Sequence, residues 1–211
     1  MQLHSEHPFG KGGLKVRKFQ LENGLKVLLL EDHRLPRVVV DIWYGVGSYD
    51  DPVGASGFAH LFEHLMFRGR VDGGGPPYPR RIEELGGTFN GATWMDTTSY
   101  HATVPAGALA HTLALEAGRM ADPRIDQAAL RSEVEVIRQE VASRRNRPYR
   151  GFPKPRLREL MFRTFANTHD GLTGLGDLET VTVAEAEEFF QRYHAPANAV
   201  LCLAGGFPAA Q

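Results

Sequence analysis

The sequence of 211 residues has one cysteine, no long apolar run and a formal net charge of −1. Because Cys202 is the sole cysteine, the sequence excludes an intrachain disulfide and a zinc cluster built from several cysteines. No apolar run approaches the roughly 20 residues that a membrane helix needs, so we expect no membrane span. The charge shows no excess of lysine and arginine of the kind that nucleic acid attracts, so we expect no nucleic-acid partner.

The first residues also lack the charged start and the apolar stretch of a secretory signal peptide. The compartment therefore stays open between the cytoplasm and the periplasm. We predict an N-terminal extension over residues 1–13 and one folded domain over residues 14–206. Residues 207–211 are expected to be a tail or the boundary to a second half.

What the sequence contains instead is an irregular mixture of strand and helix signals. The pair Asn23-Gly24 is typical of a tight hairpin, and Asp126 and Thr182 are typical helix N-caps. Because strands and helices follow no steady alternation, we predict an α+β fold with a mixed, largely antiparallel sheet covered by helices. The predicted strands are 14–21, 25–30, 37–46, 86–93, 97–104 and 198–204, and the main predicted helices are 57–67, 105–121, 126–145, 157–165 and 182–193.

Three polar side chains interrupt the first predicted helix, which is otherwise apolar nearly all round. His60 and His64 are one turn apart on the same face, and Glu63 lies near that face. Burying an unpaired polar group costs roughly 2–7 kcal/mol in apolar surroundings, so these groups need partners. A divalent metal is one such partner, because imidazole is a common zinc ligand and His-x-x-Glu-His is an inverted zinc-peptidase motif. The alternative is a pair of core histidines that are hydrogen-bonded to Glu63 and to the backbone.

A catalytic zinc site has three protein ligands and one open position, so a third ligand must come from elsewhere. The long predicted helix offers Glu133 and Glu140, which share a face with Val136 and Ile137. Two carboxylates that bracket two apolar residues are unusual for a solvated face, so either glutamate is a candidate third ligand. The alternative is that both are surface glutamates that bridge Arg144 or another neighbour.

The combined motifs resemble those of the M16 metallopeptidase family, which includes pitrilysin and mitochondrial processing peptidase. The core of the resemblance is the run from His60 to His64, followed 76 residues after His64 by Glu140. The similarity extends from about Leu14 to Gly206. Further matching residues are Asn23-Gly24, Gly47-Ser48, Gly57-Phe58-Ala59, Met66-Phe67-Arg68-Gly69, Gly86-Gly87-Thr88-Phe89-Asn90, Thr93, Asp96 to Tyr100, Tyr193, Pro196 and Asn198.

This resemblance implies a zinc-dependent endopeptidase with one Zn²⁺ per chain, and it makes residues 14–206 the catalytic domain. It implies that His60, His64 and Glu140 bind the zinc, and that Glu63 is the general base that activates a water molecule. It further implies that Glu133 supports the ligands without binding the metal. The choice of Glu140 over Glu133 follows from the family spacing alone.

The resemblance also implies a place for the substrate. Asn90, Gly91 and Ala92 correspond to an edge strand that pairs with the backbone of an extended peptide. The family more often has alanine where this chain has Gly91. Glycine loosens a strand, so we expect a slightly different positioning of the substrate and no loss of chemistry.

Members of this family usually combine such a domain with a second, similar half. We therefore expect a partner, which is a second M16-like half or subunit or another copy in a homo-oligomer, and weak activity from this chain alone. The rival hypothesis is a non-catalytic structural or assembly subunit of the same family, although such subunits tend to lose part of the metal motif. A purely structural zinc domain is disfavoured, because structural sites prefer four protein ligands and usually include cysteine.

Overall fold

The computed structural model describes residues 2–10, 12–69, 75–145, 154–169, 171 and 175–208. In this part of the chain no helix is both long enough and apolar enough to cross a membrane. The strands are β1 (Gln2–Phe9), β2 (Leu14–Gln20), β3 (Lys26–Glu31), β4 (Arg37–Tyr44), β5 (Thr88–Thr93), β6 (Thr98–Pro105) and β7 (Ala199–Gly205). The helices are α1 (Phe58–Leu65), α2 (Tyr78–Glu84), α3 (Leu109–Ala121), α4 (Gln127–Arg145), α5 (Lys154–Met161), α6 (Phe165–Thr168), α7 (Leu175–Leu178) and α8 (Val183–Tyr193).

The described strands form one sheet in the order β1-β2-β3-β7-β4-β6-β5. The pair β3–β7 is parallel and the other neighbouring pairs are antiparallel, which confirms the predicted α+β fold with a mixed, largely antiparallel sheet. The predicted hairpin is also present. Gly24 has a φ of 87°, and the side chain of Asn23 accepts a hydrogen bond from Leu25 N.

The two ends of the chain are more closely tied to the sheet than the sequence suggests. We predicted that residues 1–13 precede the folded domain, but Gln2–Phe9 extends the sheet as β1, antiparallel to β2. Phe207 falls in the predicted tail and is only 6% exposed, packed with the core. The polar composition of residues 2–9 gave no strand signal, because an edge strand with little buried surface needs few apolar residues. The limits 14 and 206 themselves stay a prediction.

The core lies between the sheet and the helices, and α1 is at its centre. Along β4, Val38, Val40 and Ile42 are buried while Val39 and Trp43 are exposed, so one face of the strand carries the core. α1 contacts both α4 and β5. This packing matters for the site, because α1 is held between the long helix with the candidate third ligand and the edge strand with the candidate substrate residues.

Several predicted helices are divided in the structure. The prediction of one helix over 57–67 becomes α1 followed by a 3-10 turn at Met66–Arg68. The predicted helix 157–165 becomes α5 and α6, with residues between them that are not helical. The N-caps are as predicted, since Asp126 accepts a hydrogen bond from Ala129 N and Thr182 forms a capping box with Glu185.

Candidate metal centre

A carboxylate from outside α1 holds the start of this helix. Gly57 precedes the helix with a φ of 97°, in the left-handed region that glycine adopts readily. The buried side chain of Asp51 accepts hydrogen bonds from the backbone N–H groups of Gly57, at 2.7 Å, and Ala59, at 2.9 Å. A negative charge at this end also interacts favourably with the helix dipole. Asp51 therefore stabilises the first turn of α1, which contains His60.

His60, His64 and Glu140 converge at one point between α1 and α4. Nε2 of His60 and Nε2 of His64 each lie 3.5 Å from Oε2 of Glu140. One ligand atom from each of the three residues lies within 4.8 Å of the others. His60 is 5% exposed, and the side chains of His64 and Glu140 are 20% and 31% exposed, so the group opens toward solvent on one side.

The spacing of these atoms fits a zinc ion. Ligand atoms at about 2.0–2.1 Å from a tetrahedral zinc lie about 3.3 Å from one another. The two separations of 3.5 Å are close to that value and longer than the usual 2.7–3.2 Å of an N–H···O hydrogen bond. Two imidazoles and one carboxylate are also a donor set that zinc accepts at catalytic sites. The residues therefore fit a three-ligand zinc centre with one open position.

Glu133 lies beside this group and contacts the other ring nitrogen of His64. Its Oε2 is 3.3 Å from His64 Nδ1, and its Oε1 is bound by Nε of Arg68. A second nitrogen of Arg68 donates to Ser132 Oγ at 2.6 Å. A carboxylate on Nδ1 favours the tautomer that carries its proton there, which leaves Nε2 with a free lone pair directed at the Glu140 side.

These contacts shift the pKa values of both partners. Burial alone would lower the pKa of His64, but the hydrogen bond to Glu133 and the charges of Glu133, Glu63 and Glu140 outweigh burial and raise it. Burial alone would raise the pKa of Glu133, but the hydrogen bonds from His64 and Arg68 outweigh burial and lower it. Glu133 is therefore a carboxylate at neutral pH.

The predicted face of α4 is correct for three of its four residues. Glu133 and Glu140 face α1, and Ile137 between them is fully buried. Val136 is 44% exposed and lies off this face. The alternative in which the glutamates bridge Arg144 concerns a side chain outside the described part of the chain.

Glu63 lies on the side of α1 that faces the edge strand. Its Oε2 accepts a hydrogen bond from the hydroxyl of Thr93 on β5, at 2.7 Å. A Cβ atom added to Gly91 would lie 3.0 Å from Cγ of Glu63 and 3.0 Å from a ring atom of Phe67. The backbone of β5 therefore passes directly beside Glu63, and the absence of a side chain at position 91 leaves the space around this carboxylate.

The three candidate substrate residues do not all point the same way. Asn90 is exposed and pairs in register with the exposed His101 of β6, whereas Gly91 pairs with the fully buried Tyr100. The side chain of Asn90 accepts a hydrogen bond from Gly91 N at 3.0 Å. All three residues lie on the edge strand β5, and the pairing of their backbone with a substrate stays a prediction.

Three residues that support this group have no role predicted from the sequence. Arg68 follows His64 by four residues, so helical spacing could have indicated that it lies on the same face. Thr93 lies on a strand, and no nearby residue in the sequence indicates that its hydroxyl has a carboxylate partner. Asp51 contacts His169, which is 118 residues away, and no local pattern predicts such a pair.

Comparison with known proteins relates this chain to a family of peptidases. The family model described as insulinase, peptidase family M16, matches residues 26–173. The chain is 30% identical over 199 residues to coenzyme PQQ synthesis protein F of Pseudomonas syringae pathovar tomato, covering 90% of this chain and 25% of that protein. It is 26% identical over 199 residues to zinc protease PqqE of Helicobacter pylori, covering 90% of this chain and 43% of that protein.

Solved structures agree in fold. A protease from Helicobacter pylori superimposes with a TM-score of 0.85 at 24% identity, covering 93% of this chain and 47% of that one. A domain of Pseudomonas fluorescens described as an inactive domain of peptidase M16 superimposes with a TM-score of 0.80 at 20% identity, covering 92% of this chain and 47% of that one. The chain thus spans between a quarter and a half of the length of these relatives.

Proposed function

The chain belongs to peptidase family M16, the insulinase family, and we propose that it is the zinc-binding unit of an endopeptidase that hydrolyses peptides or unfolded segments. The observation that carries this proposal is the convergence of His60, His64 and Glu140, with Glu63 directly before His64 on the same helix. The relatives named as zinc proteases support zinc as the metal.

The residues of the site divide the work of the reaction among metal binding, proton transfer and orientation of the base. His60, His64 and Glu140 hold the zinc, which when bound supplies Lewis-acid chemistry and brings the pKa of its water toward about 7. Glu63 takes a proton from the attacking water and returns it to the nitrogen of the leaving amine. Thr93 orients Glu63 through the hydrogen bond to Oε2.

The substrate is proposed to bind as an extended strand along β5. This strand lies at an edge of the sheet, so the backbone groups of Asn90, Gly91 and Ala92 that do not pair with β6 face outward. Pairing through the backbone would bind extended peptides with little demand on their side chains. It would also place a peptide bond close to Glu63, because β5 passes beside that carboxylate.

Metal analysis tests the ligand set. We expect about one zinc per purified chain, and we expect Glu140→Gln to lose most of it, because a neutral amide is a weak zinc ligand. Glu135→Gln is the matched control, since Glu135 is on the same helix but exposed and paired with Arg138. An equal zinc content in both variants, or no zinc after reconstitution of the unchanged chain, would contradict the assignment.

Cleavage of a quenched peptide tests the role of Glu63. Glu63→Gln keeps the size and the hydrogen bond to Thr93 but cannot accept the proton, so we expect at least a 100-fold loss of turnover with zinc still bound. The measurement uses the complete product of the reading frame that encodes this chain. Activity that survives this change would show that Glu63 is not the base.

The same assays separate the rival hypothesis of a non-catalytic subunit. A fold is shared by active and inactive domains, so the fold cannot decide between them. The presence of all four side chains, namely His60, Glu63, His64 and Glu140, favours a peptidase over a non-catalytic subunit. We propose that a second unit of similar size completes the substrate-binding site, since the relatives are about twice as long or longer. Full turnover by the 211 residues alone would refute that part.

A further inference from the structure

Arg68 sits at the end of the segment that carries the metal ligands, but nothing in the proposed reaction uses it. Its guanidinium binds Oε1 of Glu133 through Nε and Oγ of Ser132 through a second nitrogen. Its own side chain is 39% exposed, whereas that of Glu133 is 9% exposed. Arg68 is therefore a partly exposed cation that binds a nearly buried carboxylate.

We propose that Arg68 is a positioning residue that sets the affinity of the metal centre through Glu133. The proposal rests on the zinc site of the proposed function. Arg68 holds one carboxylate oxygen of Glu133, and the other oxygen then faces Nδ1 of His64 at 3.3 Å. His64 in turn directs Nε2 toward the point that it shares with Glu140.

Glu133 needs such a partner because rotation about the terminal bond of its side chain is only weakly restrained. The carboxylate of a glutamate rotates with little preference about its terminal bond, so a single contact to His64 does not fix its plane. The two nitrogens of Arg68 bind Glu133 and Ser132, which are neighbours on α4, and this fixes the guanidinium against the helix. The plane of the carboxylate, and with it the ring of His64, then has one favoured orientation.

Electrostatics alone predicts the opposite effect. Arg68 is a cation near a site for a divalent cation, and it also neutralises the charge of Glu133. Its removal would leave an uncompensated carboxylate beside the metal, and zinc would bind more tightly. The positioning role predicts weaker binding, because loss of the partners that orient metal ligands typically lowers metal affinity by about 10–100-fold. The sign of the change therefore distinguishes the two effects.

The test is the zinc affinity of the metal-free chain, measured by competition with a chelator of known affinity. We expect Arg68→Met to bind zinc about 10-fold more weakly, at the lower end of that range because Arg68 acts one contact further out. Arg80→Met is the matched control, since Arg80 is an exposed arginine paired with Glu84 on α2. It removes the same charge and should leave the affinity unchanged.

A double-mutant cycle shows whether the effect passes through Glu133. Glu133→Ala should weaken zinc binding by itself, and Arg68→Met should add no further loss in that background. Arg68→Leu, with the same expected loss, serves as a second variant if the methionine variant does not fold. Unchanged or tighter binding in the Arg68 variants, or the same additional loss without Glu133, would overturn the inference. If the unchanged chain binds no zinc, the proposed function itself fails.

Discussion

The hydroxyl of Thr93 donates a hydrogen bond of 2.7 Å to Oε2 of Glu63, and this bond joins the edge strand β5 to helix α1, which carries the candidate metal ligands His60 and His64. The same hydroxyl lies 3.5 Å from the carbonyl oxygen of Ala59. A hydroxyl has one proton, so the shorter, charge-assisted bond to Glu63 is the one that it makes. The strand proposed to bind substrate thus also holds the proposed base.

We predict that Thr93→Val lowers kcat about 10-fold and leaves KM and zinc content unchanged. The side chains have nearly the same shape, but valine lacks the hydroxyl, and a hydrogen bond to a charged group is worth roughly 1.5–3 kcal/mol. Peptide cleavage and metal analysis check this. Thr93→Ser keeps the hydroxyl and should recover most of the loss. A serine variant as slow as the valine variant would mean that packing, and not the hydrogen bond, is what matters.

A second prediction concerns pH and the pair Asp51–His169. Burial alone would lower the pKa of His169, but the hydrogen bonds to Asp51 and to the carbonyl of Phe165 outweigh burial and raise it. A raised pKa in the folded state means that protonated His169 stabilises the fold below the unfolded value of about 6.5. That contribution is lost as the pH rises through the folded pKa.

The measurement is the free energy of unfolding of the metal-free chain against pH, for the unchanged chain and for His169→Gln. Taking the difference between the two cancels the other titrating groups. We expect the advantage of the unchanged chain to be largest near pH 6 and to shrink as the pH rises further. An advantage that grows with pH would show that His169 is not held as a cation by Asp51.

A third prediction concerns the close approach at Gly47. A Cβ atom at this position would lie 2.5 Å from Met95 C and 2.5 Å from Asp96 N, in the turn between β5 and β6. Backbone cannot move aside as a side-chain tip can, so Gly47→Ala should cost about 3 kcal/mol, the upper part of the usual range for overpacking. Denaturant unfolding measures this. Gly107→Ala is the control, because nothing lies within 4 Å of its Cβ position; equal stability of the two variants would contradict the prediction.

Much of the candidate site follows from spacing along the chain. The separation of His60 and His64 places both on one face of a helix whatever the rest of the fold does, because helical geometry is local. The same holds for Glu133 and Glu140 on α4. The hairpin at Asn23-Gly24 and the caps at Asp126 and Thr182 are local as well, and the structure contains all of them.

Other features depend on contacts between distant segments. β7 lies between β3 and β4 in the sheet, although more than 150 residues separate β4 from β7 in the chain. β1 has no apolar pattern of its own and is a strand because β2 offers it a free edge. The side of Glu63 that meets Thr93 is likewise set by where β5 packs.

The sequence by itself therefore determined the residue types and the helical faces of the candidate metal centre, since these depend on periodicity within single helices. Only the tertiary structure decided that α1 and α4 pack so that Nε2 of both histidines meets Oε2 of Glu140 at 3.5 Å. It also decided that Asp51 stabilises the start of α1 and that Arg68 binds Glu133. Hydrogen bonds and ion pairs act over a few ångströms, and packing alone brings those side chains so close.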